Sequence, residues 1–177
     1  MKLRAFGNAR PVIGRRVFID PAAVVIGQVT LGDDVSLWPT AVVRGDVNEI
    51  SVGARSNIQD GSVLHVTHDG PFSPGGIPLV VGQDVTVGHR VTLHACTVGD
   101  RCLIGMNACV MDGAELGSDI LLGAGSLVTP GQKLERGSLY QGSPARHVRG
   151  LEPDELEMLR YSAAHYVRLK DRYLGMA

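Results

Sequence analysis

The chain concentrates its histidines in one stretch, and this clustering indicates a metal site. Four of the six histidines lie between residues 65 and 94, namely His65, His68, His89 and His94. Neutral imidazole is a common ligand of divalent metals, and three imidazoles with one open coordination position are typical of catalytic zinc. Such an ion lowers the pKa of its bound water to about 7 and supplies hydroxide to a small electrophile. Unrelated surface histidines, or histidines that sense pH at a subunit contact, are the alternatives.

The elements that must position these histidines follow from a repeat of six residues. A period of six matches neither the 3.6 residues of a helical turn nor the 2 of a long strand. It is typical of short strands joined by tight corners, with three hexads in each triangular coil. The sequence therefore predicts an all-β fold, a parallel β-helix shaped as a triangular prism, rather than an α/β domain with scattered Val-Gly turns. The aliphatic repeat positions are Ile13, Ile19, Val25, Leu31, Leu37, Val43, Val52, Ile58, Leu64, Val81, Val87, Leu93, Val98, Ile104, Val110, Leu116, Leu122 and Val128.

The repeat divides the chain into two units. Residues 1–150 are expected to form the β-helix, with an inserted loop at about residues 66–79 that is rich in glycine and proline. Shorter phase breaks follow the hexad of Val43 and precede Val98, so that all three interruptions flank the histidines, as loops on a working face often do. Residues 151–177 have helical periodicity, with acidic residues first and basic residues later. We expect a C-terminal α-helix that packs on the prism or on a neighbouring subunit.

The hexad count assigns the histidines to faces of the prism. Arg44, His65 and His94 each follow an aliphatic position of the same face, so they form a column with a spacing of about 4.8 Å per coil. His65 and His94 are then close enough to bind one ion. His89 belongs to the preceding face, and extended residues of about 3.3 Å each place it well over ~10 Å from the column.

A single chain therefore cannot bring the three histidines together, whereas a cyclic homotrimer can. Head-to-tail contacts that close into a ring would bring His89 of one prism beside the His65 and His94 column of the next. Gln59 lies on the face of His89, one coil below, and is expected to enter the same site from the same subunit.

Composition excludes several other classes of function. The formal net charge of −1 provides no basic surface for nucleic acid or for an anionic membrane. The first residues lack the apolar core of a secretory signal, and no run approaches the roughly 20 apolar residues of a membrane span. We therefore expect a cytoplasmic protein with no nucleic-acid or membrane partner. The three cysteines, which lack a Cys-x-x-Cys pair, fit reduced structural thiols.

Three motifs of the sequence are Arg44-Gly45-Asp46, Asn57-Ile58-Gln59-Asp60-Gly61-Ser62-Val63-Leu64-His65 and Gly88-His89-Arg90-Val91-Thr92-Leu93-His94. They resemble the motifs of the gamma-class carbonic anhydrases and their bacterial relatives of the YrdA and PaaY type, and the likeness covers nearly the whole chain. The resemblance implies left-handed winding and a homotrimer with zinc at each interface, bound by His65 and His94 of one subunit and His89 of the next. It implies reversible hydration of carbon dioxide to bicarbonate.

The same resemblance implies roles for four further residues. Arg44 and Asp46 correspond to residues that pair across the subunit interface, and a bidentate pair of this kind also fixes the register of a contact. Gln59 corresponds to a residue that positions metal-bound solvent, and Tyr140 to a tyrosine that lines the site.

Two positions depart from the archetypal gamma enzyme, which carries glutamates for proton transfer. Val47 occupies the position of the first glutamate, and His68, three residues after His65, occupies that of the second. An imidazole can carry protons because its unperturbed pKa is near 6.5, whereas valine cannot. We therefore expect His68 to be the proton carrier. Zinc is the favoured metal, although imidazole ligands also accommodate Fe²⁺ and Co²⁺.

Two other classes of function share the same prism. Hexapeptide-repeat acyltransferases use a lone histidine base and a coenzyme A groove, and a zinc site can also hydrolyse the thioester of an acyl-coenzyme A. The second of these classes is a non-catalytic trimeric scaffold that keeps the metal for stability. Hydration of carbon dioxide by metal-loaded protein distinguishes these classes.

Overall fold

The computed structural model describes residues 2–176 and confirms the β-helix that the hexads predict. The chain winds left-handedly through about 8 coils of short strands, and one helix follows them. The elements are β1 (Lys2–Arg4), β2 (Val12–Ile13), β3 (Phe18–Ile19), β4 (Val24–Leu31), β5 (Ser36–Leu37), β6 (Val42–Val52), β7 (Asn57–Ile58), β8 (Val63–His65), β9 (Leu79–Val81), β10 (Thr86–Val87), β11 (Thr92–His94), β12 (Thr97–Val98), β13 (Leu103–Ile104), β14 (Cys109–Val110), β15 (Glu115–Leu116), β16 (Leu121–Leu122), β17 (Leu127–Val128), β18 (Lys133–Leu134), β19 (Ser138–Gln141), β20 (Arg146–Gly150) and α1 (Pro153–Tyr173).

Two parallel sheets cover the three faces of the prism within residues 2–176. An 8-stranded sheet, from β3 through β10 and β13 to β20, forms one face. A 12-stranded sheet covers the other two, because β4 and β6 continue around a corner and pair with different strands on each side. β20 is the edge strand of the 8-stranded sheet and pairs with β19 in the antiparallel direction. This winding gives every strand a neighbour one coil above or below it.

The interior is a narrow aliphatic core that extends along the prism. The residues at the hexad positions point inward and stack in columns, and burial of each Val, Leu or Ile side chain stabilises the fold by roughly 1.5–3 kcal/mol. Most residues four places after an aliphatic position are small or β-branched and are also buried, and Ser62 satisfies its hydroxyl by donating to the Gly88 carbonyl at 2.9 Å. Examples of the buried hexad residues are Val25, Val43, Leu64, Leu93 and Val110.

One corner of the prism carries a ladder of ion pairs. Each turn at this corner needs a residue with positive φ, a conformation that non-glycine residues rarely adopt. Arginine and aspartate alternate there from coil to coil, and each arginine pairs through its forked guanidinium with the aspartate above it. The nearest side-chain hydrogen bonds are 2.5 Å in Arg16–Asp34, 2.6 Å in Arg55–Asp84 and 2.7 Å in Arg101–Asp119.

The helix α1 packs on the 8-stranded sheet of its own chain. It begins after Glu152, whose backbone N–H donates to the Glu155 carboxylate at 2.9 Å. Near its end, the side chain of Lys170 is fully buried and donates to Asp34 at 2.9 Å and to Asp171. Trp38 lies 5.5 Å from Tyr166, measured between ring centroids, and contacts the helix edge-on. The helix is therefore fixed to the prism by an aromatic cluster and by a buried ion pair.

Within residues 2–176 no helix is both long enough and apolar enough to cross a membrane. The three cysteines are free thiols, as the sequence predicts. Burial raises the pKa of Cys96 and of Cys102 to about 12, so both remain protonated at neutral pH.

The Lys170–Asp34 pair yields a test of the fold. We predict that Asp34→Asn lowers the free energy of unfolding by about 2–4 kcal/mol, because a buried ammonium loses its partner on the prism. The neighbouring Asp33→Asn is the matched control, since Asp33 pairs with the exposed Arg15, and a surface pair contributes less than about 1 kcal/mol. Urea unfolding followed by circular dichroism measures both variants, and equal losses would contradict the prediction.

The lowered pKa of Asp34 also predicts a pH dependence of stability. The hydrogen bond from Arg16, partly opposed by burial, lowers the pKa of Asp34 from 3.8 to about 2. A lowered pKa means that the stabilisation is complete above the unfolded pKa and is lost as pH falls through the folded pKa. The difference in stability between wild type and Asp34→Asn should therefore close between pH 3.8 and about 2. A difference that stays constant over this window in urea titrations would refute this assignment.

Candidate metal centre

The parallel pairing of β8 with β11 holds two histidines together. His94 lies in register with His65, one coil apart, and both side chains are partly buried. His65 Nδ1 lies 3.1 Å from His94 Nε2. Two nitrogen ligands of a tetrahedral zinc ion, each about 2.0–2.1 Å from the metal, stand about 3.3 Å apart. The pair therefore has the spacing of two ligands to one such ion.

Carboxylates hold the opposite nitrogen of each ring. His65 Nε2 lies 3.1 Å from Asp46 Oδ1, and His94 Nδ1 lies 2.6 Å from Asp112 Oδ1. A metal-binding histidine usually donates its second N–H to a carboxylate, which orients the ring and makes the free nitrogen a better ligand. These contacts leave His65 Nδ1 and His94 Nε2 for a metal, and the donor set fits zinc.

Electrostatics favour the protonation states that a metal site needs. Burial lowers the pKa of His65, partly opposed by the hydrogen bond to Asp46, and this keeps the imidazole neutral. Burial alone would raise the pKa of Asp46, but hydrogen bonds from Arg44 and His65 outweigh it and the pKa is lowered. For Asp112, hydrogen bonds from Thr67 and His94 likewise outweigh burial and lower the pKa. Both carboxylates are therefore ionised at neutral pH.

His89 lies apart from this pair. It follows β10 at the corner of the 8-stranded sheet, where its side chain is 46% exposed. Its Nδ1 lies 2.9 Å from Asp60 Oδ2, so His89 contacts a carboxylate as His65 and His94 do. The other ring nitrogen, Nε2, takes no part in this contact. In the described part of a single chain, no group of three or more His, Cys, Asp or Glu side chains is arranged to hold a metal. A third imidazole for the His65 and His94 pair would have to come from another molecule.

His89 borders an apolar groove of about 470 Å³ between the 8-stranded sheet and α1. Gln59 lies one coil below His89 on the same face and lines this groove. Gln59 is buried, and its Nε2 donates to Asn57 Oδ1 at 3.1 Å, which leaves its Oε1 as an acceptor. The groove walls are formed mainly by Leu103, Met106, Leu121, Leu139 and Tyr166, with Ser162 among the few polar residues.

The remaining residues singled out in the sequence take different places. Arg44 is in the histidine column, and its Nη1 donates to Asp46 Oδ2 of the same chain at 2.6 Å. The intersubunit pairing that the resemblance implies stays a prediction. His68 is exposed at the start of the inserted loop, where its carbonyl accepts the Ser73 hydroxyl at 2.8 Å.

Tyr140 is not beside the histidines, and this corrects the role that the resemblance implies for it. It continues the inward-facing column of Val87, Ile104 and Leu122, three coils above the level of His89, or about 14 Å along the prism at 4.8 Å per coil. Its ring belongs to the aliphatic core, and its hydroxyl accepts the Glu135 N–H at 3.0 Å. A side chain that caps the core cannot line a site at the outer corner, so we leave Tyr140 out of the proposed site.

Two of the three carboxylates that contact the histidines, Asp60 and Asp112, were not predicted from the sequence, whereas Asp46 was singled out there only as a partner of Arg44. Asp60 directly follows Gln59, and Asp112 lies two residues after β14, one coil above the corner that follows His94. Hexad counting was able to place Asp112 near this corner, but the hydrogen bond itself depends on side-chain conformations that have no period.

The comparisons with known proteins agree with this architecture. Residues 10–45 match the family described as "Bacterial transferase hexapeptide (six repeats)", and residues 96–130 match "Hexapeptide repeat of succinyl-transferase". Protein YrdA of Escherichia coli K12 is 54% identical over 97% of this chain and 94% of its own length. The mitochondrial gamma carbonic anhydrase 2 of Arabidopsis thaliana is 39% identical over 90% of this chain and 57% of its own length.

Among solved structures, a putative acetyltransferase of Bacillus cereus superposes with a TM-score of 0.92. It is 34% identical, and the match covers 99% of this chain and 98% of that one. Whole-chain similarity therefore extends to relatives whose names indicate different reactions.

The close packing at Gly45 yields a test of how the Arg44 and Asp46 pair is positioned. A β-carbon at Gly45 would lie 2.6 Å from the Gln28 carbonyl oxygen, which is backbone and cannot move aside cheaply. We predict that Gly45→Ala costs about 1–3 kcal/mol and lowers Tm by several degrees. Gly150→Ala is the control, because its β-carbon would meet nothing closer than 3.9 Å. Thermal unfolding followed by circular dichroism measures both, and an unchanged Tm for Gly45→Ala would contradict the prediction.

Proposed function

The chain belongs to the gamma-class carbonic anhydrase-like hexapeptide-repeat proteins, and on that premise we propose that it is a zinc-dependent carbonic anhydrase. The proposed reaction is reversible hydration of carbon dioxide to bicarbonate and a proton. The proposed site lies between subunits of a homotrimer, with His65 and His94 from one chain and His89 from the next.

The observation that carries this proposal is the convergence of two imidazole nitrogens with no third such ligand beside them among residues 2–176 of the same chain. His65 Nδ1 and His94 Nε2 lie 3.1 Å apart, which suits two ligands of one ion. His89 has the same carboxylate contact as the other two but stands exposed at a different corner. A cyclic assembly that docks this corner against the histidine column completes three imidazoles with one open position.

The chemistry divides between the metal and the chain. When bound, zinc lowers the pKa of a coordinated water to about 7 and so supplies the nucleophile at neutral pH. The chain's part is to orient the imidazole rings, which Asp46, Asp112 and Asp60 do through hydrogen bonds of 3.1, 2.6 and 2.9 Å. Rings held in this way keep all three ligands of the proposed site in place while the substrate exchanges.

Gln59 and the groove beside His89 fit the substrate side of the site. The free Oε1 of Gln59 can accept a hydrogen bond from solvent at the metal, because its Nε2 is already bound to Asn57. The apolar groove walls suit carbon dioxide, which has no net charge and gains little from polar contacts. The groove would thus hold the apolar substrate beside the residue that orients solvent.

Proton release is assigned to His68. Its exposed position in the inserted loop, three residues from His65, allows exchange with buffer. Val47, which is exposed on the strand that carries Asp46, cannot take part in proton transfer. We therefore expect turnover to depend on buffer concentration more strongly than in an enzyme with two glutamate carriers.

Thioester hydrolysis is the second candidate, and the size of the groove favours it. A groove of about 470 Å³ is within the range of sites for drug-sized ligands and exceeds what carbon dioxide needs. The similarity to a structure named as a putative acetyltransferase also supports an acyl substrate. Hydrolysis of acyl-coenzyme A by the same zinc-loaded protein, measured beside carbon dioxide hydration, decides between the two.

Mixing of variants tests whether the site is shared between chains. We predict that His65→Ala and His89→Ala each bind no catalytic zinc as pure trimers. When the two are unfolded together and refolded in equal amounts, three quarters of the trimers contain both chains and each of these has one intact interface. About a quarter of the wild-type zinc should return, measured by metal analysis after gel filtration. Zinc that stays absent from the mixture would contradict a shared site.

Stopped-flow measurement tests the reaction. We predict that the zinc-loaded wild type hydrates carbon dioxide and that His89→Ala lowers kcat/KM by about 100-fold or more, since loss of one ligand removes the metal. His165→Ala, which changes an exposed histidine on α1, is the control and should match wild type. Iron-loaded protein is measured in parallel. A wild-type rate equal to that of His89→Ala would exclude the anhydrase and favour a non-catalytic scaffold.

A further inference from the structure

The inserted loop contacts the candidate metal centre through the side chain of Thr67. Thr67 pairs with Ile77 across the base of the loop, with two backbone hydrogen bonds of 3.0 Å. Its carbonyl also accepts Asn48 Nδ2 at 3.2 Å. A β-carbon at Gly76 would lie 2.6 Å from that carbonyl, so the base of the loop is closely packed. These contacts fix the position of the Thr67 hydroxyl.

The Thr67 hydroxyl donates to Oδ2 of Asp112, which is two residues beyond β14. The other oxygen of this carboxylate, Oδ1, lies 2.6 Å from His94 Nδ1. An ionised carboxylate only accepts hydrogen bonds, so His94 must carry its proton on Nδ1 in this contact. The lone pair of the neutral ring is then on Nε2, the nitrogen that faces His65 at 3.1 Å.

We propose that Thr67 is a positioning residue for the metal ligand His94, acting through Asp112, and that the inserted loop thereby sets metal affinity. The hydroxyl holds the carboxylate in the orientation that accepts His94 Nδ1–H, and this selects the tautomer with Nε2 free to bind. The inference rests on the proposed metal site and adds to it a residue that touches neither metal nor substrate.

The contacts of Thr67 distinguish this positioning role from a role in which Thr67 only supports the loop. The backbone of Thr67 supplies the loop contacts, with Ile77 and Asn48, whereas only its hydroxyl reaches Asp112. Thr67→Val keeps the shape and the backbone contacts but removes the hydroxyl. Thr67→Ser keeps the hydroxyl and removes one methyl group. A residue that serves only the loop would tolerate valine at least as well as serine.

The carboxylate that contacts His65, the other histidine of the pair, is held in a different way. Asp46, which contacts His65, accepts its second hydrogen bond from Arg44, a neighbour in the same strand β6. The carboxylate at His65 is thus held within the prism, whereas the one at His94 is held from the loop. A change in the loop should therefore affect His94 and leave His65 unaltered.

The experiment compares Thr67→Val, Thr67→Ser and the control Thr97→Val, which changes an exposed threonine of β12. Zinc affinity is measured by competition with a chelator of known affinity. The histidine tautomers are measured in the zinc-free protein by ¹H–¹⁵N NMR with ¹⁵N-labelled histidine. We expect about tenfold weaker zinc binding for Thr67→Val, together with a mixture of His94 tautomers, and values near wild type for the other two.

The outcomes are distinct. Wild-type affinity and a single Nδ1–H tautomer in Thr67→Val would overturn the proposal, as would an equal loss in Thr67→Ser. Failure of the wild type to bind zinc would contradict the proposed function and would overturn the link to the metal with it. Thermal unfolding in chelator shows whether Thr67→Val folds as the control does, and Asp112→Asn provides a second variant with an expected loss of about 10–100-fold.

Discussion

The fixed spacing between parallel coils is the constraint on which the candidate site depends. Strands in this fold lie about 4.8 Å apart and in strict register, so residues at equal hexad positions must stack. That spacing places His94 beside His65 and brings their ring nitrogens to 3.1 Å. The same rule keeps His89 at another corner of the prism, because no rotation of a rigid coil moves it to the column. In the proposed site this rigid scaffold supplies two ligands from one chain, and assembly with a second chain is the proposed condition for metal binding.

The regular hexads mainly stabilise the fold, whereas the interruptions between them supply polar contacts at the candidate site. Hexads in phase build a dry aliphatic core and an edge ladder of arginine and aspartate, and they leave few polar groups free. The interruptions supply the polar contacts at the histidines: β6 carries Asp46 around a corner, and the inserted loop presents Thr67 to Asp112. Both of these carboxylates have lowered pKa values despite partial burial, because each accepts two hydrogen bonds. Ionised acceptors and neutral imidazoles are the combination that a zinc site needs.

Much of this architecture can be predicted from the sequence because the inward-facing positions recur every six residues. Hexad counting predicts the prism, the pairing of His65 with His94, the place of Gln59 below His89, and the separation between the two groups. The contacts of Asp112 were not predictable in this way, since they depend on loop and side-chain conformations that do not repeat. Tyr140 shows the limit of resemblance: its correspondence to a tyrosine that lines the site in the family suggested the same role, whereas its phase within the hexads, the same as that of Leu122, directs it into the core.

In the proposed assembly, one metal ion is held by two chains. Anomalous diffraction from crystals of the zinc-loaded protein, recorded on both sides of the zinc absorption edge, is the decisive test of this arrangement. We expect one anomalous peak per chain, within about 2.0–2.1 Å of nitrogen atoms of His65 and His94 from one subunit and of His89 from its neighbour. A peak whose ligands all belong to one chain, or a zinc-loaded monomer in the crystal, would contradict it.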